Sequence, residues 1–195
     1  MDGYKLPTSA EIKGRTYAIR SDYRAILDVL ECLGENAPTD DAKQEALHTA
    51  LAIFFPDYDE MPMYVIKDAI QYMSWFINGG SDETQKQKKK PKLMDWKQDF
   101  PLIIAPINRV AGCEVRAVEY MHWWTFLAYY REIGDCLFAQ VVSIRKKKLK
   151  GKKLDKSDKE FYESNRDLID FKIEYTAAEE ELFREWGGEV DNAAK

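Results

Sequence analysis

Apolar positions in this chain recur mostly at helical spacing, with one early exception. Residues 4–20, YKLPTSAEIKGRTYAIR, alternate and lack a helical stripe. Lys13-Gly14 reads as a turn between short strands that hold Glu11-Ile12 and Thr16-Tyr17-Ala18-Ile19. A lone hairpin is marginal, so it is expected to lie against helices. Ser21 or Asp22 then opens a helix with Tyr23, Ile26, Leu27 and Leu30 on one face, ending near Gly34. Thr39-Asp40-Asp41 starts a second helix, carrying Leu47, Leu51, Phe54 and Phe55, which Pro56 stops. A third is predicted from about Pro62 to Ile77, closed by Asn78-Gly79-Gly80.

The stretch 94–133 has the strongest pattern. It reads as two helices joined at Gly112, with Asp95 as N-cap of the first and Gly112 as its left-handed C-terminal residue. The second, expected over about 117–133, holds Tyr120, Met121, Trp123, Trp124, Phe126, Leu127, Tyr129 and Tyr130. A helix apolar nearly all round is buried or covered by a partner. Adjacent tryptophans lie about 100° apart on a helix, so they need two walls of packing. Further helices are predicted from Asp135 and from near Asp155 or Ser157, with a short helical stretch before Gly187-Gly188. The fold class is therefore mainly α-helical, a helical bundle with a small N-terminal β-hairpin.

Charge changes the picture in three places. Residues 79–93 hold Gly, Ser, Gln and five lysines and almost nothing apolar, so they cannot offset their ordering entropy. They divide the chain into 1–80, the hairpin plus three helices; 81–93, a lysine-rich linker; and 94–195, an aromatic-rich helical region with an acidic tail. The run Arg145–Lys153 has seven basic residues in nine. From Asp155 onward there are 13 acidic against 6 basic residues. The net charge of −5 thus conceals a basic centre and an acidic C-terminus, and it weighs against a general nucleic-acid binder. No apolar run is long enough to span a membrane, and no signal-peptide pattern opens the chain.

Candidate chemistry is sparse. Cys32, Cys113 and Cys136 form no CxxC pair, which argues against a disulfide framework or a cysteine zinc site. His48 and His122 both sit among apolar neighbours and read as hydrogen-bonded core histidines, not metal ligands. There is no phosphate loop and no nucleophile with an identifiable base. No catalytic residue, metal or cofactor is expected, and the chain reads as a non-enzyme.

Two features remain. The basic run could track phosphates, but no aromatic is interleaved with its lysines, and the acidic tail could pair with it. The aromatic cluster from Trp96 to Tyr130 is either core or an exposed groove for partner helices. Periodicity leaves both readings open.

At this level the chain resembles the bacteriophage gene product fifteen family. The resemblance rests on Asp95-Trp96 with Asp99, the run His122-Trp123-Trp124-Thr125-Phe126, and the downstream Ile144–Lys150, IRKKKLK. The hairpin followed by Ser21-Asp22-Tyr23-Arg24 fits too, and the resemblance covers most of residues 10–150. It implies a small protein of long-tailed phages of Gram-positive hosts, encoded between the tail tube and tape measure proteins. The implied function is a tail assembly chaperone in the host cytoplasm that binds helical segments of the tape measure protein. The tail tube protein and self-association are further implied contacts. The expected contact residues are Trp96, Trp123, Trp124, Phe126 and Tyr130 as anchors, with Arg145, Lys146, Lys147 and Lys148 as an electrostatic guide. The rival readings are a structural neck or tail-completion protein of the virion, and a nucleic-acid-binding regulator using 145–153.

Overall fold

The computed structural model describes residues 5–34, 39–81 and 92–172. Residues 82–91 of the predicted 81–93 linker, and the tail beyond Lys172, lie outside them. Strands β1 (Ser9–Ile12) and β2 (Arg15–Ala18) pair antiparallel, with Ile12 opposite Arg15. Their two-residue turn places both Lys13 (φ 52°) and Gly14 (φ 76°) in the left-handed region. That geometry matches the twist of the strands and suits glycine at the second position.

Eight α-helices follow among the described residues. They are α1 (Tyr23–Gly34), α2 (Asp40–Phe54), α3 (Ile66–Ile77) and α4 (Trp96–Ala111). Next come α5 (Trp123–Arg131), α6 (Leu137–Leu149), α7 (Lys156–Ser164) and α8 (Arg166–Ile169). The mainly helical fold with an N-terminal hairpin is as the hydrophobic pattern predicts.

Local chemistry accounts for most boundaries. Thr39 accepts from the Ala42 amide at 3.1 Å, and Asp95 accepts from the Gln98 amide at 2.8 Å. Each satisfies an amide that the first helical turn leaves unpaired. Gly112 ends α4 at φ 71°, as its C-terminal position predicts. Asp155 and Asp158 form a reciprocal capping box at the start of α7.

The expected second helix of the 94–133 pair starts later than predicted. Residues Val115–Ala117 form a single 3-10 turn, and the chain then bends at 118–119 and reaches His122, in extended backbone, without helix. The cause is tertiary. The Asp22 carboxylate takes the Met121 amide at 2.9 Å, Tyr23 N donates to Met121 O at 2.9 Å, and Trp123 N donates to Ser21 O at 2.8 Å. Residues 121–123 are thus clipped to the start of α1 before α5 begins.

One core runs through hairpin, α1–α5 and the start of α6, from Ala10 to Phe138. It includes Phe54, Met73 and Phe76 from before the linker, and Ile103, Ile107, Trp123 and Phe126 from after it. Residues on both sides of the 81–93 segment thus contribute to one core. A smaller cluster of Val141, Ile144 and Ile169 joins α6 to α8.

Candidate functional site

The aromatic run of α5 is consumed within the chain. Trp123 is 1% exposed and Phe126 is fully buried. Phe126 stacks on Tyr23 of α1 with ring centroids 4.4 Å apart, and Trp123 stacks on Phe126 at 5.8 Å. The two adjacent indoles close the end of α3: Trp123 Nε1 donates to Ile77 O at 2.9 Å, and Trp124 Nε1 to Phe76 O at 2.8 Å. Carbonyls in a last helical turn lack intrahelical donors, so Trp123 satisfies Ile77 O, while Trp124 adds a second donor to Phe76 O, which also accepts from the Gly79 amide at 3.0 Å. Trp124 is half-buried, and a Cβ on Gly80 would come within 2.8 Å of its ring.

His122 is buried and serves as N-cap of α5. Its Nδ1 accepts from the Trp124 amide at 3.0 Å, so Nε2 carries the proton and donates to Pro7 O at 2.9 Å. Burial pulls its pKa below the usual histidine value, partly opposed by the Pro7 carbonyl. Trp96 and Tyr130 are half-buried against each other at 5.0 Å, and Tyr130 Oη donates to Met94 Sδ at 3.0 Å.

These contacts show where the expected anchors lie in the folded chain. Trp123 and Phe126 offer no surface to a partner, because α1, α3 and α4 already cover them. Trp96, Trp124 and Tyr130 present only part of their rings.

The basic run is likewise divided. Arg145 is 3% exposed and forms a two-pronged pair with the fully buried Asp99 of α4, at 2.6 and 2.9 Å. Its remaining donors reach Ile169 O at 2.6 Å, Leu168 O at 2.8 Å and Leu93 O at 3.2 Å. Its guanidinium also lies 4.1 Å from the Phe171 ring centre. Arg145 is a structural clasp joining α4, α6 and α8. Lys147 binds Asp158 at 2.5 Å, which holds that carboxylate below the usual range. Lys148 binds Asp170 at 2.6 Å. Burial works against the Asp170 carboxylate, but Lys148 and the Tyr162 hydroxyl outweigh it and keep its pKa low. Of the four predicted basic contacts, Lys146 alone is exposed with no ion pair among the described residues.

Pattern reading missed a concave surface. The hairpin turn and the outer face of α3 enclose an open groove of about 560 Å³, lined by Glu11, Ile12, Lys13, Asp68, Gln71, Tyr72 and Trp75. Tyr72 and Trp75 meet at 5.2 Å and form its aromatic floor. Tyr72 Oη donates to Ser9 O at 2.9 Å, which fixes the hairpin against α3. Lys13 and Asp68 pair across it at 3.3 Å, leaving Glu11 as a net negative charge. Met63 and Tyr64, in the 3-10 turn leading into α3, are 81% and 74% exposed. Tyr64, Asp68, Tyr72 and Trp75 recur at helical spacing, so Tyr64 extends the same face. The readable signal was Tyr72 and Trp75 three residues apart beside polar Asp68 and Gln71.

No group of His, Cys, Asp and Glu that could hold a metal occurs among the described residues. Comparison with known families then decides the kinship: residues 4–171 match the family described as Bacteriophage Gp15 protein. The chain belongs to that family. The match is longer than the stretch of 10–150 that carries the sequence resemblance. No curated protein and no solved structure matches the chain. As a Gp15 family member it is a bacteriophage protein, and the family points to a structural or assembly role. No described helix is long and apolar enough to cross a membrane.

Proposed function

We propose that this protein is a tail assembly chaperone that acts in the host cytoplasm, without catalysis, on helical segments of the tape measure protein. The observation that carries the reading is family membership over residues 4–171. The contact surface is moved from α5 to the groove between the hairpin and α3. Its aromatic floor of Tyr72 and Trp75 suits an apolar helix face, and Glu11, left unpaired by the Lys13–Asp68 bridge, suits a flanking lysine or arginine. A groove this open gives a weak contact, which fits a holder that must release its client. Many copies along one extended client would supply the avidity, with self-association or the tail tube protein setting the moment of release.

Co-expression with tape measure segments tests this. The wild-type chain should keep the segments soluble and co-purify with them. Tyr64→Asp, at an exposed position, and Trp75→Ala should reduce recovery while keeping the wild-type circular dichroism. Full recovery with both folded variants would remove the groove from the reading. Failure of the wild-type chain to retain any segment would remove the client. Detection of the chain in purified virions at fixed stoichiometry would favour a neck or tail-completion component.

A further inference from the structure

The cations of the 145–153 run that are paired bind mostly to chain that follows them. Arg145 holds the carbonyls of Leu168 and Ile169, Lys147 holds Asp158, and Lys148 holds Asp170. Lys146, Lys150, Lys152 and Lys153 are exposed and have no ion pair among the described residues. Leu149, in their midst, is 53% exposed. A charged surface of this kind is normally solvated, so an occupant needs independent support.

Charge supplies the first support. Residues 173–195 carry seven acidic and two basic side chains, so this segment alone accounts for the net charge of −5, and the rest of the chain is neutral. Composition supplies the second. Leu182, Phe183 and Trp186 are set among Glu179, Glu180, Glu181 and Glu185, as Leu149 is set among lysines. Attachment supplies the third. Asp170 lies 2.6 Å from Lys148, and the Lys172 amide is held by Gln98 at 3.0 Å, so the segment departs from beside α6. Its 23 residues could extend over about 75 Å at roughly 3.3 Å each, well beyond the roughly 20 Å length of the 13-residue α6. A tether this short also raises the local concentration of the acids to the order of millimolar.

We propose that the exposed lysine end of α6, comprising Lys146, Lys150, Lys152 and Lys153 with Leu149 beside them, is a docking surface for the chain's own acidic segment 173–195. The segment covers these lysines in the free protein and competes with any other acidic partner for them. The assignment holds whether or not the tape measure reading does.

Carbodiimide cross-linking of the full chain tests it, because the reagent joins only lysine and carboxylate groups in direct contact. An equal mixture of ordinary and ¹⁵N-labelled protein separates links within one chain from links between copies. The expected products join Lys146, Lys150, Lys152 or Lys153 to Glu179, Glu180, Glu181 or Glu185 within single chains. Their yield should fall roughly five-fold between about 0.05 M and about 0.5 M salt, where the screening length shortens from about 14 Å to about 4 Å. Glu179→Lys, Glu180→Lys, Glu181→Lys and Glu185→Lys together should abolish them. Adding Lys146→Glu, Lys150→Glu, Lys152→Glu and Lys153→Glu should restore links with the roles exchanged. Absence of these links at low salt, or links found only between isotopically different chains, would overturn the proposal. Salt-sensitive retention of a short DNA duplex by the wild-type chain at about 0.15 M salt would also overturn it, because the lysines would then be free for phosphate.

Discussion

Removing one partner of the Arg145–Asp99 clasp should cost far more than removing any neighbouring lysine. Both groups are essentially out of solvent, at 3% and 0% exposure, and they share two bonds of 2.6 and 2.9 Å. Breaking a buried pair from one side leaves an uncompensated charge and typically costs about 3–5 kcal/mol. Arg145→Met also abandons the carbonyls of Leu93, Leu168 and Ile169, so it belongs at the upper end of that range. For a chain of this size, each kcal/mol lowers the melting temperature by about 2–4 °C, so a fall of roughly 10–20 °C is expected. Asp99→Leu should cost roughly as much, since it strands the guanidinium and also withdraws the acceptor of the Asp95 amide. The double variant should be less destabilised than the sum, with a coupling of about 2–3 kcal/mol, yet remain weaker than wild type because the three carbonyls stay unserved. Urea titration monitored by circular dichroism reads all four corners of this cycle. Lys146→Met is the control and should change stability by less than about 0.5 kcal/mol. A cost below about 1 kcal/mol for Arg145→Met, or no coupling with Asp99→Leu, would refute the clasp and return Arg145 to the surface.

Three further outcomes follow from the same contacts. His122 has a folded-state pKa below its reference value of 6.5, so the unfolded chain takes up the proton first. Its contribution should be complete above that value and lost as pH falls through the folded pKa; urea titrations from pH 7.5 down to 5 should show a decline that His122→Gln flattens. Gly80→Ala should destabilise by more than the usual glycine effect, because the residue sits at φ 80° and its Cβ would lie 2.8 Å from Trp124; an unchanged melting temperature would contradict this. Residues 1–80 alone should show no cooperative unfolding, since Phe54, Met73 and Phe76 share one core with Ile103, Trp123 and Phe126; a sharp thermal transition in that fragment would contradict this.

Elements whose limits depend on nearby residues were legible in the sequence. Thr39, Asp95 and Asp155 cap their helices through amides three residues away, and the Lys13-Gly14 turn needs no distant partner. What was not legible depends on residues far apart in the chain. Residues 118–122 have helical composition, but Asp22, 99 positions earlier than Met121, takes the Met121 amide and keeps them out of α5. Arg145 looks like one more cation in a solvated run until Asp99, 46 positions earlier, comes within 2.6 Å. Whether Trp123 faces solvent or core was undecided by periodicity, because an all-apolar helix offers no polar face to orient it. The groove was invisible for a related reason: its walls come from the hairpin turn and from α3, which meet only in the folded chain.

Hydrogen–deuterium exchange of the full chain, with and without soluble tape measure segments, tests the central claim most directly. The account predicts added protection at residues 9–15 of the hairpin and 63–75 leading into and along α3. The amides of α5, whose aromatic rings already face the core, should be unchanged. Protection confined to 123–131, or none anywhere at a client concentration that saturates co-purification, would contradict it.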